Sequence, residues 1–289
     1  MKTRFIVNPH SGGAARALPA VRIFAAQHGA DVVMTERPRQ ATELAERALH
    51  DGCELIVAVG GDGTLNEVAR ALVATPATCG LVPCGSGNGL GRHLGIHGSV
   101  ARALDILRSG RPRLIDTGLA DGHPFFTAAG LGFEAEVSAR FNQIAGRGFL
   151  RYFVAGAPLL WRYRAQECLV THGSTGERWP AFTVAVANSD QYGNQAFIAP
   201  GAQVDDGLLD LTLVPPLTVF NALPLLSRLF AGTLVRSRGV MMRQSPRFTV
   251  ERMAPGLIHT DGETHLAGRS VEFVVRPRSL RVLVPSPTP

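Results

Sequence analysis

The sequence predicts an α/β domain with a parallel sheet and helices on both faces, followed by a β-rich domain. Three observations carry that expectation. Up to residue 110, short apolar runs alternate with stripes of helical period. Three of the apolar runs end in glycine-bearing turns that open the next helix. After "RPRLID" (111–116) the stripes thin out, and short apolar stretches punctuated by glycine and proline take over. Strand and helix in alternation build a parallel sheet, whereas strands in succession build antiparallel ones.

The elements follow in order. "TRFIVNP" reads as a strand, and Leu18, Val21, Phe24 and Ala25 form a helical stripe that stops before His28-Gly29. "ADVVMT" is a second strand; Leu44, Ala45, Ala48 and Leu49 form a second helix, ended by Asp51-Gly52. "ELIVAV" is a third strand, and Leu65, Val68, Ala69 and Leu72 a third helix. "CGLVPC" is a fourth strand, and "SVARALDILRSG" a helix that Ser99 is placed to cap. Beyond residue 118 the strand candidates are "FFTAAGLGF", "AFTVAVAN", "LLDLTLV", "RFTVE", "SVEFVV" and "LRVLV", with helical stretches at about 136–165 and 216–235. The expected domains are 1–118 and 119–289, with the last strand a candidate to return to the first domain.

Composition narrows the function. With 45% apolar and 18% charged residues the chain reads as a soluble globular protein. No apolar run reaches the roughly 18 residues of a membrane span, and "MKTRFIVNP" lacks the features of a signal peptide. A cytoplasmic location is expected. Cys53, Cys79, Cys84 and Cys168 show no C-x-x-C spacing and read as buried thiols rather than a zinc site. The net charge of +6 is carried by arginine, since Lys2 is the one lysine in the chain. That excludes a Walker P-loop, a protein-kinase strand lysine and a Schiff-base lysine away from the N-terminus. An arginine excess suits phosphates and acidic head groups.

The glycine turns are "NPHSGG" (8–13), "GGDGTLN" (60–66) and "PCGSGNGLGRHLG" (83–95). Backbone N–H groups at a helix start bind phosphate, and glycine lets the backbone come close. Three such turns at one sheet edge suggest a polyphosphate. None spells the dinucleotide fingerprint G-x-G-x-x-G; the third runs G-x-G-x-G-x-G. Thr64 and Glu67 also spell a capping box, and Asp62 suits a helix N-terminus. Yet a carboxylate beside a bound phosphate is repelled by it unless a divalent cation lies between. The Gly-Asp-Gly turn therefore suggests Mg-nucleotide binding without a Walker lysine. "DDG" (205–207) and "DGE" (261–263) are hairpin-turn sequences, and equally the natural suppliers of a cation ligand and a base.

Taken together, "NPHSGG", "GGDGTLNEV", "PCGSGNGLGRHLGI", "GLGFEAEV", "IAPGAQVDDGLLDLTLV" and "DGE" run in order along nearly the whole chain. The set resembles the diacylglycerol-kinase-type lipid kinases, closest to the soluble bacterial branch and with sphingosine kinases as relatives. The resemblance implies ATP in the cleft between an α/β and a β-rich domain. It implies nucleotide contacts from Asn8, Pro9, His10, Ser11, Gly12, Thr35, Gly60, Gly61, Asp62, Gly63, Thr64, Leu65, Asn66 and Ser86. It implies Asp62 as the carboxylate next to the Mg-phosphate, and a Mg²⁺ site of Asp206 with the backbone oxygens of Gln203 and Leu208. It implies Glu263 as the base that deprotonates the lipid hydroxyl. The chain departs from the pattern at three places: "GSGNGL" stands where many bacterial members read "GTxNDF", Gly89 replaces an acidic residue, and Gln203 stands where lysine is common.

Residues 148–161, "GFLRYFVAGAPLLW", are apolar and flanked by Arg147, Arg151, Arg162 and Arg164; 217–235 is similar. These are core helices, or an acyl-chain cleft whose arginines meet a membrane. His93, His123 and His172 have no partners at metal spacing. The expectation is a Mg²⁺-dependent, ATP-using kinase of a lipid alcohol. It touches the anionic inner membrane face peripherally, binds no nucleic acid, and is compatible with a homodimer. The rivals are a soluble-substrate kinase of the NAD-kinase type and a catalytically silent nucleotide-binding regulator. The apolar stretches and the Asn66-Glu67 pair argue against the first, and Asp62, Asp206 and Glu263 together against the second.

Overall fold

A computed structural model describes residues 1–143, 156, 159–160 and 162–286. Most of the apolar stretch 148–161 lies outside the described residues. The chain divides into two compact units, Met1–Ile115 with Arg278–Pro289, and Asp116–Pro277.

In the first unit, β1 (Thr3–Val7), β2 (Asp31–Met34), β3 (Leu55–Gly60) and β4 (Thr78–Pro83) alternate with α1 (Ala14–Gln27), α2 (Gln40–His50), α3 (Asp62–Leu72), the short α4 (Gly89–His93) and α5 (Val100–Ser109). The strand order is β2-β1-β3-β4, every pair parallel. The last strand of the chain, β16 (Ser270–Val284), adds beside β4, with Arg281 and Val282 facing Thr78 and Cys79. All six residues of β3 are buried, as a central parallel strand covered on both faces requires. Phe5, Val7, Leu55, Val57 and Val59 pack on α1 and α5. The alternate residues turn to the other face, where α2 and α3 pack. Ser99 caps α5 as its sequence indicates, its Oγ accepting from Arg102 N at 3.2 Å.

The capping box at α3 does not form. Gly61 is the N-cap, and Thr64 already lies inside the helix. Thr64 Oγ1 instead takes a hydrogen bond from Asn8 Nδ2 at 3.2 Å. Glu67 reaches sideways, its Oε2 accepting from Ala41 N at 2.9 Å in the first turn of α2. A tertiary contact has displaced the local one.

The second unit opens with β5 (Arg111–Ala120), which begins in the first. It continues through β6 (His123–Phe125), β7 (Ala128–Gly132), α6 (Phe133–Gln143), β8 (Gln166–His172), β9 (Thr175–Ala181), β10 (Thr183–Ala187) and β11 (Leu209–Val214). Then come α7 (Ala222–Phe230), a 3₁₀ turn at Leu234–Arg236, β12 (Met241–Ser245), β13 (Arg247–Arg252), β14 (Gly256–Thr260) and β15 (Glu263–Ala267). One antiparallel sheet has the order β12-β11-β10-β7-β14-β15; the other runs β16-β13-β8-β9. Alternate residues of both, among them Leu131, Val184, Val186, Leu211 and Ile258 from the first and Val170, Phe248, Val250 and Phe273 from the second, form one core. This is a β-sandwich. The expected helix at 216–235 is shorter than its apolar stretch, because Pro215-Pro216 precedes it and Gly232, at φ 65°, follows it. The four cysteines are free, Cys84 half-buried and the others buried.

Candidate active site

The three glycine-bearing loops of the first unit come together at the carboxyl ends of β1, β3 and β4. Gly61 N donates to Ser11 Oγ at 2.7 Å, and Gly13 N to Cys84 O at 2.8 Å. Loops two and three touch glycine to glycine: a Cβ on Gly85 would lie 2.7 Å from the Gly61 Cα. Any larger residue there would push the loops apart.

Asp62 is the latch between them. Its Oδ2 accepts from Asn88 N at 2.7 Å and its Oδ1 from Gly89 N at 2.8 Å, the first N–H groups of α4. A carboxylate in a glycine turn thus caps the helix of another loop. Burial pushes the Asp62 carboxyl above its ordinary range, against the backbone bonds and Arg92, which favour the charge. Two accepted bonds leave lone pairs on the carboxylate for a further partner.

The remaining residues implied for the nucleotide fall around this junction. Asn8 begins the first loop and binds Thr64, and Asn8 Oδ1 accepts from His10 N at 3.1 Å. Pro9, His10, Gly12 and Gly63 lie on the loop surfaces, while Ser11, Thr64, Leu65 and Asn66 are buried. Thr35 follows β2 and donates from its N to Val7 O at 2.9 Å. Gly60 ends β3, and Ser86 is exposed at the tip of the third loop. A cavity of about 410 Å³ adjoins this loop, lined by Gly13, Cys84, Gly85, Asn88, Arg92 and His97. Asn88, at φ 52°, holds the loop closed by bonding Gly85 with both ends of its amide. Asn88 and Arg92 lie inside the third glycine turn, but of that loop only Ser86 is implied as a nucleotide contact by the resemblance.

In the second unit, Glu263 opens β15 directly after a two-residue hairpin turn. Asp261 and Gly262 have φ of 50° and 87°, the signature of a type I′ turn. Asp261 makes the turn rigid. Its carboxylate accepts from Phe126 N, Thr127 N and Ala128 N at 2.8, 2.9 and 3.0 Å. The same segment is tied to the DDG loop: Asn188 Nδ2 donates to Phe126 O and Asp116 O, and Asp116 Oδ2 accepts from Gly207 N at 2.7 Å. Asp116 and Asn188 are fully buried. The turn that carries Glu263 and the loop that carries Gln203, Asp206 and Leu208 therefore share one buried polar frame.

Asp206 is exposed, and its Oδ1 accepts from Leu208 N at 3.0 Å. Gln203 is exposed and Leu208 half-buried. Nearby, Asp210 keeps a buried oxygen without a hydrogen-bond partner, and burial raises its carboxyl to about 6. Hard oxygen donors of this kind suit Mg²⁺. Among the described residues no three metal-binding side chains converge; a cation here would take one or two carboxylates, carbonyls and water, which is the usual habit of Mg²⁺.

A second buried set reaches the DGE turn through His259. Glu134, at the start of α6, lies over Gly130, where any Cβ would strike its carboxylate. Its Oε1 is 3.2 Å from His259 Nε2, and Tyr192 OH donates to Oε2. His259 Nδ1 accepts from Gly262 N at 3.4 Å, which ties the ring to the DGE turn.

Asp261→Ala is expected to lower the unfolding free energy by about 3 kcal/mol or more, since three N–H groups lose their acceptor at about 1–3 kcal/mol each when buried. The measurement is the shift in urea midpoint. The pH dependence has a definite sign. Burial lifts the Asp261 carboxyl from 3.8 to about 6, so the folded state holds this proton more tightly than the unfolded chain. Its contribution is full below about pH 4 and is lost as pH rises through about 6. The gap between wild type and variant should be widest at low pH; a gap that widens towards neutrality contradicts the assignment.

Comparison with known proteins bears on the family and the fold. Residues 2–120 match the diacylglycerol kinase catalytic domain, and residues 127–284 the YegS C-terminal NAD kinase beta sandwich-like domain. Over 270 residues, 90% of this chain and 85% of the relative, the sequence is 33% identical to "Probable lipid kinase YegS-like" of Pseudomonas syringae pv. tomato. It is 25% identical over 272 residues, 91% of this chain and 86% of the relative, to a protein named "Diacylglycerol kinase" from Staphylococcus aureus. The crystal structure of a diacylglycerol kinase from Bacillus anthracis superposes with a TM-score of 0.73 at 17% identity, covering 98% of this chain and 96% of that one. Another chain from that organism reaches 0.80 at 18%, with the same coverage. At these identities the structural likeness shows the fold. The protein is thus a phosphotransferase with an α/β catalytic domain and a β-sandwich. More particularly, it belongs to the diacylglycerol-kinase-type lipid kinase family.

Proposed function

We propose that this kinase transfers the γ-phosphoryl group of ATP to the hydroxyl of a lipid alcohol, diacylglycerol-like or sphingoid-like, in the presence of Mg²⁺. The observation that carries the reading is the convergence of three glycine-bearing loops on one latched carboxylate, Asp62. Backbone N–H groups from such loops are suited to a triphosphate. In this reading the loop residues from Asn8 to Gly12 and from Gly60 to Asn66, with Thr35 and Ser86, hold the nucleotide. Asp62 orients the metal-bound phosphates while keeping the third loop closed. Asp206, with the carbonyls of Gln203 and Leu208, would hold Mg²⁺. When bound, the cation supplies charge neutralisation for the phosphates. Glu263, on a turn fixed by Asp261, accepts the proton of the acceptor hydroxyl.

The acceptor assignment draws support from the relatives named as lipid kinases. Among the described residues no helix is long and apolar enough to cross a membrane, so the proposal includes peripheral contact at the inner membrane face. The test is incubation with γ-labelled ATP and a panel of lipid alcohols, with the products separated by thin-layer chromatography. Label should move to a lipid. Label on NAD⁺ instead would favour the soluble-substrate rival, and nucleotide binding without transfer the silent regulator. Turnover should fall to background in excess EDTA and return with Mg²⁺. Asp206→Ala should raise the Mg²⁺ needed for half-maximal turnover about tenfold or more, a loss of the size that even outer-shell partners produce. Full activity in excess EDTA contradicts the metal assignment.

A further inference from the structure

We propose that the segment built on α7, from about residue 217 to 238, is a docking surface for an anionic bilayer. The inference rests on the lipid-kinase reading and adds the part of the chain that meets the membrane.

Charge along this stretch is one-sided. Between Asp210 and Glu251 the sequence carries Arg228, Arg236, Arg238, Arg243 and Arg247 and no aspartate or glutamate. Polarity is one-sided too. Val219, Phe220, Leu223 and Leu226 are 71%, 87%, 73% and 40% exposed, while Leu225 is 8% exposed. The helical path begins before α7 itself, as Ala222 N donates to Thr218 O at 3.1 Å and Leu225 N to Asn221 O at 2.9 Å. At 3.6 residues per turn, positions 219, 220, 223 and 226 share one face and 225 lies opposite. The apolar side therefore points to water, and this is the reverse of a core helix.

The inner side is anchored. Phe197 N donates to Leu229 O at 2.9 Å, and Leu229 packs against Ala185, Ile198 and Ala199. Arg228 fixes the turn that follows, donating to Arg236 O and, at 3.4 Å, to Ser237 Oγ. That turn presents Val235, 63% exposed, with Arg236 and Arg238 also exposed. The result is a rigid apolar ridge with a basic rim.

Soluble surfaces seldom leave so many large apolar side chains together in water. A bilayer interface takes both parts: the acyl boundary accepts the ridge, and anionic head groups neutralise the arginines. A second copy of the chain is a poorer occupant, because two such faces would oppose arginine to arginine with no carboxylate between them.

Flotation of the full-length protein with vesicles tests the proposal. Wild type should float with phosphatidylglycerol-rich vesicles, less in high salt, and little with pure phosphatidylcholine. Phe220→Ser with Leu223→Ser should weaken binding about 150-fold or more, the worth of two large apolar side chains, and Arg236→Glu with Arg238→Glu should remove the preference for anionic lipid. Both residue pairs are exposed, and unchanged nucleotide binding by calorimetry would show that the variants fold. Flotation of the serine variant equal to wild type overturns the proposal. So does sedimentation as a dimer that this variant abolishes, which would make the face a self-interface. Lipid phosphorylation is scored separately on wild type: vesicle binding that needs the ridge, without transfer to any lipid, leaves the docking surface standing and defeats the lipid-kinase reading instead.

Discussion

Asp62→Asn is expected to abolish phosphoryl transfer in a protein that still folds. In the wild type both carboxylate oxygens receive backbone N–H groups, from Asn88 and Gly89. Asparagine keeps one acceptor and turns an –NH₂ towards the other N–H, so a bond becomes a donor–donor clash. Leaving a partly buried donor unsatisfied costs about 1–3 kcal/mol, and the cost falls on the third glycine-bearing loop. The substitution also removes the one negative charge in the turn, which in the proposed mechanism faces the metal-bound phosphates. Loss of such a preorganised electrostatic group lowers turnover by about 10²–10³-fold. Asp62→Glu should not restore it, because the longer side chain cannot accept from two successive N–H groups at the same distance. The measurement is steady-state turnover beside a thermal unfolding scan. Near-normal turnover of the asparagine variant would remove Asp62 from the site.

Glu263→Gln should lower phosphoryl transfer by about 10²–10⁴-fold, the range of a lost general base, with ATP affinity nearly unchanged. A lipid hydroxyl is a poor nucleophile while it keeps its proton. The single lysine of the chain is Lys2, and its Nζ donates to Asp51 O at 2.6 Å. The turn that carries Glu263 is anchored by residues around it. Asp261 secures the turn to residues 126–128, and His259 receives Gly262 N. Glutamine therefore removes the base without moving the turn. Calorimetry of nucleotide binding and single-turnover transfer, on the same preparation, separate the possibilities. Transfer within about threefold of wild type refutes the role of Glu263; loss of ATP binding along with transfer moves it to the nucleotide site.

The parts of the molecule that local pattern dictates could be read from the chain. Strands β1, β3 and β4 announce themselves as apolar runs ending in glycine, and Ser99 caps its helix because a cap needs only its own next turn. The failures all involve partners remote in sequence. Glu67 looked like half of a capping box and instead serves α2. Asp261 looked like a turn residue, and its turn geometry was legible, but its acceptance of three N–H groups about 135 residues away was not. Asp116 and Asn188 sit where apolar runs end, and nothing in their surroundings signals that they bridge the DDG loop to the DGE turn. Glu134 needed Gly130 beneath it and His259 across from it. The stretch 217–235 stayed open between a core helix and a membrane-facing one, because an apolar stripe states which face is apolar, not which side of the helix the body of the protein occupies.

The central claim of the proposal is that this kinase phosphorylates a lipid hydroxyl and that Glu263 serves as the base. It is tested most directly by giving the enzyme γ-labelled ATP and Mg²⁺ with two acceptors in one vessel, diacylglycerol-containing anionic vesicles and NAD⁺, and counting label in the organic and aqueous phases. The account predicts that wild type moves label into the organic phase and that Glu263→Gln, at full nucleotide occupancy, does not. Label appearing on NAD⁺ while the lipid stays unlabelled, or equal lipid labelling by wild type and Glu263→Gln, would contradict it.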